Sequence, residues 1–201
     1  MFKNIGILSV CALVAGCGGR VETAIDNLER AEEANAMLTS ALLLEETAPE
    51  DMPVSGSAVY NGYALIVTAE AGSPVTVDDF GDENGILGDV QITANFGTGT
   101  VDGEMTNFIS QSDAIGGDAY TGQISIMGAI DSVEQNLFEA DMRGALTDPN
   151  GDTLNINGDL YGAFVGADAG TIAAASLEDE NISNINGTES VSAVVIIIAE
   201  D

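Results

Sequence analysis

From Val54 onward the apolar residues fall on every second position. Leu154, Ile156, Gly158 and Leu160 alternate with Asn155, Asn157, Asp159 and Tyr161. Val90, Ile92, Ala94 and Phe96 alternate with Gln91, Thr93 and Asn95, and Ile124, Ile126 and Gly128 with Gln123, Ser125 and Met127. Successive side chains of extended backbone point to opposite faces, so each segment offers one row to a core and one to solvent. Turn signals separate the segments: Asn61-Gly62, Glu83-Asn84-Gly85, Gly97-Thr98-Gly99, Gly116-Gly117-Asp118, and Asn150-Gly151 after Asp148-Pro149. The last is the sharpest hairpin signal. The pattern predicts strands near 55–60, 63–70, 89–96, 99–107, 120–130, 136–146, 152–163, 169–176 and 190–198. Joining the first two into one bent strand leaves eight.

Short connections make neighbouring strands antiparallel, and the scarcity of helical segments between them removes support from the α/β classes. The final run, Val191 to Ile198, is apolar almost throughout. It suits a strand buried on both sides or one whose outer face is covered. Pairing it with the first strand near Ala58 would leave no open edge and close a barrel. A two-sheet sandwich satisfies the same alternation.

Upstream, the period changes. Glu22 to Glu46 contains no Gly or Pro and is rich in Ala, Leu and Glu, which favours helix. Ile25, Leu28, Ala31, Leu38, Ala41 and Leu42 recur near the helical period. Arg30 is bracketed by Glu29, Glu32 and Glu33. Pro49 and Pro53 stop the helix. It serves either as a spacer or as a seal at one end of the barrel, and the sticky Leu42-Leu43-Leu44 end is a candidate for packing on the domain. The expected fold is an all-β, eight-stranded antiparallel β-barrel preceded by an N-terminal α-helix.

The first sixteen residues read as an export signal. Lys3 precedes a short apolar run from Ile5 to Val14, less than the roughly 20 residues of a membrane-spanning helix. It exits through Leu13-Val14-Ala15-Gly16-Cys17, which resembles the lipobox of bacterial lipoproteins. That resemblance implies cleavage before Cys17, acylation of Cys17, and membrane attachment through the lipid. Gly18, where inner-membrane retention resembles an Asp, favours the outer membrane. The expected organisation is a lipoprotein signal peptide at 1–16, a lipidated N-terminus and helical spacer at 17–52, and the barrel at 53–201. Removing 1–16 also removes Lys3 and Cys11, leaving Arg20, Arg30 and Arg143 as cations and no cysteine to pair with Cys17.

Composition narrows the function. The 201-residue chain has 33 acidic residues against 4 basic ones, a net charge of -29. Such a surface repels nucleic acid, while high salt screens its self-repulsion. With no His and two Cys, most zinc sites and nucleophile–base pairs lack a ligand or a base. No enzyme and no cofactor is expected.

Several glycine–aromatic stretches carry a family resemblance. They are Gly56-Ser57-Ala58-Val59-Tyr60-Asn61-Gly62, the run Ile92 to Gly103 with Phe96-Gly97 at its hairpin, Tyr120-Thr121-Gly122-Gln123-Ile124, Phe138-Glu139-Ala140, and Gly158-Asp159-Leu160-Tyr161-Gly162. In order and spacing the region resembles the β-barrel domain of the transferrin-binding protein B family, whose smaller relatives include factor H binding protein. Ala163 stands where the family has proline, and the family's following Glu has no counterpart before Gly170. The resemblance implies an eight-stranded barrel displayed by a lipid anchor, often moved to the surface by a translocator. It also implies loop-mediated binding of a host protein, a haem carrier or a complement regulator, but transfers no binding residue. The expected function is a non-enzymatic surface lipoprotein that binds a protein or small ligand, linked to iron or haem uptake. The alternative is an acidic structural envelope protein without a dedicated ligand.

Four residue groups are candidate sites. Asp148, Asn150 and Asp152 around Gly151 resemble half a calcium loop, though Asp159 stands where such a loop needs Glu and a plain hairpin turn is the simpler account. Asp78, Asp79, Asp82 and Glu83 form an acidic cluster that a solvated loop explains as well. Arg143 shares a strand face with Asp141, which predicts a local ion pair. Tyr60, Tyr63, Tyr120 and Tyr161 are candidates for a recognition patch, competing with the need to fill a core. Asn186-Gly187-Thr188 is read as a turn.

Overall fold

The computed structural model describes residues 18–70, 85–110, 118–176, 182–185 and 189–201. One helix, α1 (Gly18–Ala41), precedes nine strands: β1 (Ser57–Glu70), β2 (Gly85–Asn95), β3 (Thr100–Ser110), β4 (Thr121–Ile130), β5 (Leu137–Thr147), β6 (Thr153–Val165), β7 (Thr171–Ala175), β8 (Ile182–Ile185) and β9 (Glu189–Glu200). The segments expected at 55–60 and 63–70 are one strand, and Asn61-Gly62 is strand interior, not a turn. A Cβ on Gly62 would lie 2.0 Å from the Ile198 carbonyl oxygen. Gly62 therefore marks a close backbone approach at the barrel seam.

Each strand pairs antiparallel with the next from β1 to β7. β9 returns to β1 with Asn61 opposite Glu200 and Glu70 opposite Val191. The last strand closes the barrel as expected, but its apolar run lies against Tyr63–Glu70 and not near Ala58, which pairs with Ala94 of β2 alone. The nine segments fill eight positions, because β7 and β8 occupy the same place between β6 and β9. β7 pairs with Tyr161–Val165 and with Ile196–Glu200, whereas β8 pairs with Leu154–Asn155 and with Glu189–Ser192. The result is an eight-stranded antiparallel barrel with one interrupted stave, not a sandwich.

The inner face obeys the two-residue rhythm. Ile92, Ala94, Val101, Met105, Ile124, Ile126, Met142, Leu146, Ile156 and Leu160 are all buried in one core. Phe164 sits at the centre of an aromatic group, with ring centroids 6.0 Å from Tyr60, 5.5 Å from Phe96 and 5.6 Å from Phe138. Gly162 makes room for Phe138 in this group: a Cβ there would meet the Phe138 ring at 2.1 Å. β9 is buried on both faces, as its composition predicts. Val195, Ile197 and Ala199 join the core, while Val194 and Ile196 join Leu65 and Val67 on the outer face.

The helix is shorter at its C-terminal end than the Glu22–Glu46 expectation. After Ala41 the chain tightens through bonds from Leu43 N–H to Ser40 and Leu44 N–H to Ala41. It then crosses the barrel end, where Glu46 bridges to Val165 and Thr47 N–H donates to Phe164. Met52 drops into the core there. The seal is thus this strap, not the helix. Leu42 and Leu43 stay 76% and 82% exposed. Only Leu44 of the three reaches the barrel, with a methyl 3.4 Å from where Gly166 would carry a Cβ. α1 itself lies along the outside of the wall, against β9 and β1.

Candidate binding surface of the barrel wall

A barrel this small offers a ligand its interior only if side chains leave space. Here Tyr60, Phe108, Phe164, Met105 and Met142 are fully buried in it. Tyr60 belongs to that core and not to a recognition patch. Its hydroxyl donates to the Ala169 carbonyl at 2.7 Å, and burial, followed by the charge of Asp201, raises its pKa. The packed interior leaves the outer walls and the loops as the accessible surface.

One wall is occupied by α1. Arg30 donates to the Asp89 carboxylate at 2.6 Å and to the Asn107 carbonyl at 2.9 Å, and the Asn107 amide donates to the same carboxylate at 2.8 Å. Asn107 is the extra residue of a bulge: the β2–β3 register shifts between Leu87 and Asp89, and Asn107 has φ 53°. Asn tolerates this left-handed conformation better than most residues. The bulge turns its carbonyl outward to meet Arg30 of the helix and its amide to meet the Asp89 carboxylate. Tyr63 donates to Glu33 at 2.7 Å. Burial first, then that hydrogen bond and the charges of Glu33 and Asp89, push its pKa up to about 12 against the opposing Arg30. Arg30, Met37, Asn61, Tyr63 and Asp89 line a groove of about 410 Å³ along this contact. Sequence reasoning placed Arg30 among its helix neighbours and missed Asp89, 59 residues away. The unmatched polar Asp89 beside Gly88 was the only local signal.

Among the described residues the opposite wall, formed by β4, β5 and β6, is bare of any helix. Register sets its outward rows: Met127 faces Asp141, which faces Asp159, and Ala129 faces Glu139, which faces Tyr161. Met127 is 60% exposed. A groove of about 660 Å³ runs here, lined by Met127, Leu137, Glu139, Asp141, Asp159 and Tyr161 among others. Arg143 lies on the same wall, and its guanidinium reaches Asp141 only at 3.9 Å with both side chains exposed. The predicted ion pair exists, in a loose form. The four Tyr do not assemble: Tyr60 is core, Tyr63 faces α1, Tyr120 packs half-buried against the core with its pKa raised by burial, and Tyr161 is on the bare wall.

Asp148 is a turn residue. Its carboxylate accepts from the backbone of Asn150 and Asp152 and from the Asn150 amide. Burial opposes the charge, yet the hydrogen bonds prevail and hold the carboxyl below the usual range. Those oxygens are spoken for by N–H donors, which supports the hairpin account. Asp131 likewise takes the Glu134 and Val133 N–H groups, which lower its pKa. Cys17, the Asp78–Glu83 cluster and Asn186-Gly187-Thr188 lie outside the described residues. Among the described residues no group of three or more His, Cys, Asp or Glu is placed to hold a metal ion.

Three comparisons bear on this architecture. No curated protein matches the chain. Among solved structures it is similar to a mutant of the vaccine antigen transferrin binding protein B from Haemophilus parasuis Hp5, with 17% identity and a TM-score of 0.46 over 78% of this chain and 29% of that one. It is also similar to intact Ap-TbpB with its N and C lobes, at 15% identity and a TM-score of 0.45, over 78% and 28%. The chain thus spans under a third of those proteins. The family model describing the C-lobe and N-lobe beta barrels of Tf-binding protein B matches residues 52–195, from the end of the strap through the barrel and most of its closing strand. By that match, the chain belongs to the transferrin-binding protein B β-barrel family.

Proposed function

We propose that this protein is a non-enzymatic binding module that recognises a protein of its host or environment through the outside of a packed barrel, in the service of iron or haem acquisition. The observation that supports it most is the filled interior of a domain belonging to a family of transferrin-binding barrels. An interior occupied by Phe164 and its neighbours leaves walls and loops as the recognition surface. The relatives named above are transferrin binding proteins, which makes a glycoprotein iron carrier the first ligand to test.

In this reading residues 1–16 are removed, Cys17 is acylated, and 17–52 join the lipid to the barrel at 53–201. A single acyl chain holds a protein only reversibly, so stable attachment to the outer membrane requires more than one on Cys17. A translocator would bring the domain to the cell surface. Two measurements test the proposal. The mature N-terminus is expected to be a lipid-modified Cys17 by mass spectrometry, with Cys17→Ala releasing the protein from the membrane fraction. The purified lipoprotein in detergent is expected to bind iron-loaded transferrin or a haem carrier saturably at about micromolar strength or better. Absence of any complex would leave a structural role for the acidic barrel and overturn the binding reading.

A further inference from the structure

The bare β4–β6 wall carries a feature that folding does not require. Asp141 and Asp159 are direct cross-strand partners, with Glu139 on the same face of β5. Like charges directly opposite one another in an antiparallel pair are destabilising. The cation of this wall, Arg143, is 3.9 Å from Asp141 and 70% exposed. Beside these acids lies Met127, and Asp102 flanks Met127 from β3. An exposed thioether edged by carboxylates on three strands, with Tyr161 in the next row, is a surface suited to a cation on an aliphatic stem. The stem packs on Met127 and the Tyr161 ring while the head meets carboxylate.

The groove continues over the barrel end. A second depression of about 280 Å³, lined by Val54, Phe96 and Gln135 among others, shares Ile130, Asp131 and Ser132 with the first. Val54 and Val133 are both more than 80% exposed beside it. The combined track is longer than one side chain and suits an extended polypeptide. The molecule also holds its own example of the chemistry, because α1 lays Arg30 on Asp89 and Met37 beside Tyr63 on the other wall.

We propose that the β4–β6 groove docks a basic segment of the partner protein, an extended stretch in which arginine or lysine alternates with apolar residues. This rests on the binding-module reading and names the surface and the partner chemistry. The field of a chain with net charge -29 draws such a segment in, and the Met127–Asp141–Asp159 row fixes where it stays.

The test uses the full lipoprotein in detergent and a short synthetic peptide alternating arginine with leucine, titrated calorimetrically at physiological salt. A peptide with glutamate in place of arginine is the counter-probe. Asp141→Asn with Asp159→Asn is compared with Glu29→Gln and Glu32→Gln, which remove the same charge from the exposed side of α1. The wall pair is expected to weaken binding about tenfold, the α1 pair less than about twofold, and Met127→Ser about threefold without a charge change. Equal weakening by both pairs would reduce the effect to the diffuse field and overturn the proposal. So would no weakening by the wall pair, or binding of the glutamate peptide. If a natural protein ligand binds the wall pair with unchanged affinity, the binding-module reading stands and the groove assignment falls. If neither peptide nor any protein binds, both fall.

Discussion

The two walls of this barrel are built from the same alternating pattern, yet one is clasped by its own helix and the other carries unresolved repulsion. On the clasped wall, Asp89 has a guanidinium at 2.6 Å and an amide at 2.8 Å. On the bare wall, Asp141 has a guanidinium at 3.9 Å and another carboxylate directly across the ladder. The difference is one of burial and reach. Arg30 is held by a bulge that aims a carbonyl at it and an amide at its partner Asp89, and it is mostly shielded, at 22% side-chain exposure. Arg143 projects from a regular strand into water. A charge becomes structural where backbone irregularity meets it with fixed partners, and remains available for recognition where the strand is regular.

The strongest way to break this contrast is Arg30→Ala. It removes a charge-assisted hydrogen bond, leaving Asp89 with the Asn107 amide alone and the Asn107 carbonyl without the guanidinium. A loss of about 1–2 kcal/mol is expected, which lowers the melting temperature by roughly 2–8 °C for a protein of this size. Amide exchange should accelerate in α1 first, leaving β4–β6 protected, because the clasp is local. Uniform acceleration across the barrel would show that α1 is part of the global folding unit.

How far these walls were legible in the sequence follows from the range of each signal. The strands, their antiparallel order and the closure of β9 on β1 came from alternation, a local property that the inward row of β2, β4 and β6 obeys. The double-sided burial of β9 was equally visible, since a continuous apolar run leaves no polar face. The split stave was not: the pattern predicts 169–176 but no strand at 182–185, because the four residues Ile182–Ile185 are too few to show an alternation. The helix end was misjudged: Leu42 to Glu46 has helical composition, but a strap across the barrel end, paired with Val165, outweighs propensity. Arg30–Asp89 was invisible because no periodicity encodes a contact over 59 residues through a bulge. On the bare wall every acid stood in the sequence. Their convergence depended on a register that places Met127, Asp141 and Asp159 in one row.

A smaller effect sharpens the clasped side through pH. Tyr63 keeps its proton up to about pH 12 in the fold, against about 10 for an unfolded tyrosine. A group whose pKa is raised on folding stabilises fully below the unfolded value and loses that contribution as pH climbs through the folded one. The window is therefore about pH 10 to 12. Tyr63→Phe should flatten part of the alkaline decline in melting temperature across that window, with Tyr60 and Tyr120 accounting for what remains. Near neutral pH the same variant should cost about 1 kcal/mol or less, the worth of one partly exposed hydrogen bond to Glu33. An unchanged alkaline decline would mean that Tyr63 is solvated in solution and that α1 does not hold it.

The smallest effect separates the walls most cleanly, because its sign is reversed. Most substitutions destabilise, but Asp159→Asn takes one charge from a directly opposed pair and keeps the side chain's size. It should stabilise the barrel by about 0.2–1 kcal/mol at low salt, and the gain should shrink as salt screens the exposed pair. Asp89→Asn on the other wall should destabilise, because there the charge is answered by Arg30. Melting curves of both variants at low and high salt test this. If Asp159→Asn destabilises at low salt, the Asp141–Asp159 repulsion is already relieved within the chain, and the bare wall is as settled as the clasped one. If it stabilises, the wild-type protein retains a charge that its fold would be better without, and a partner's cation is a physical reason for keeping it.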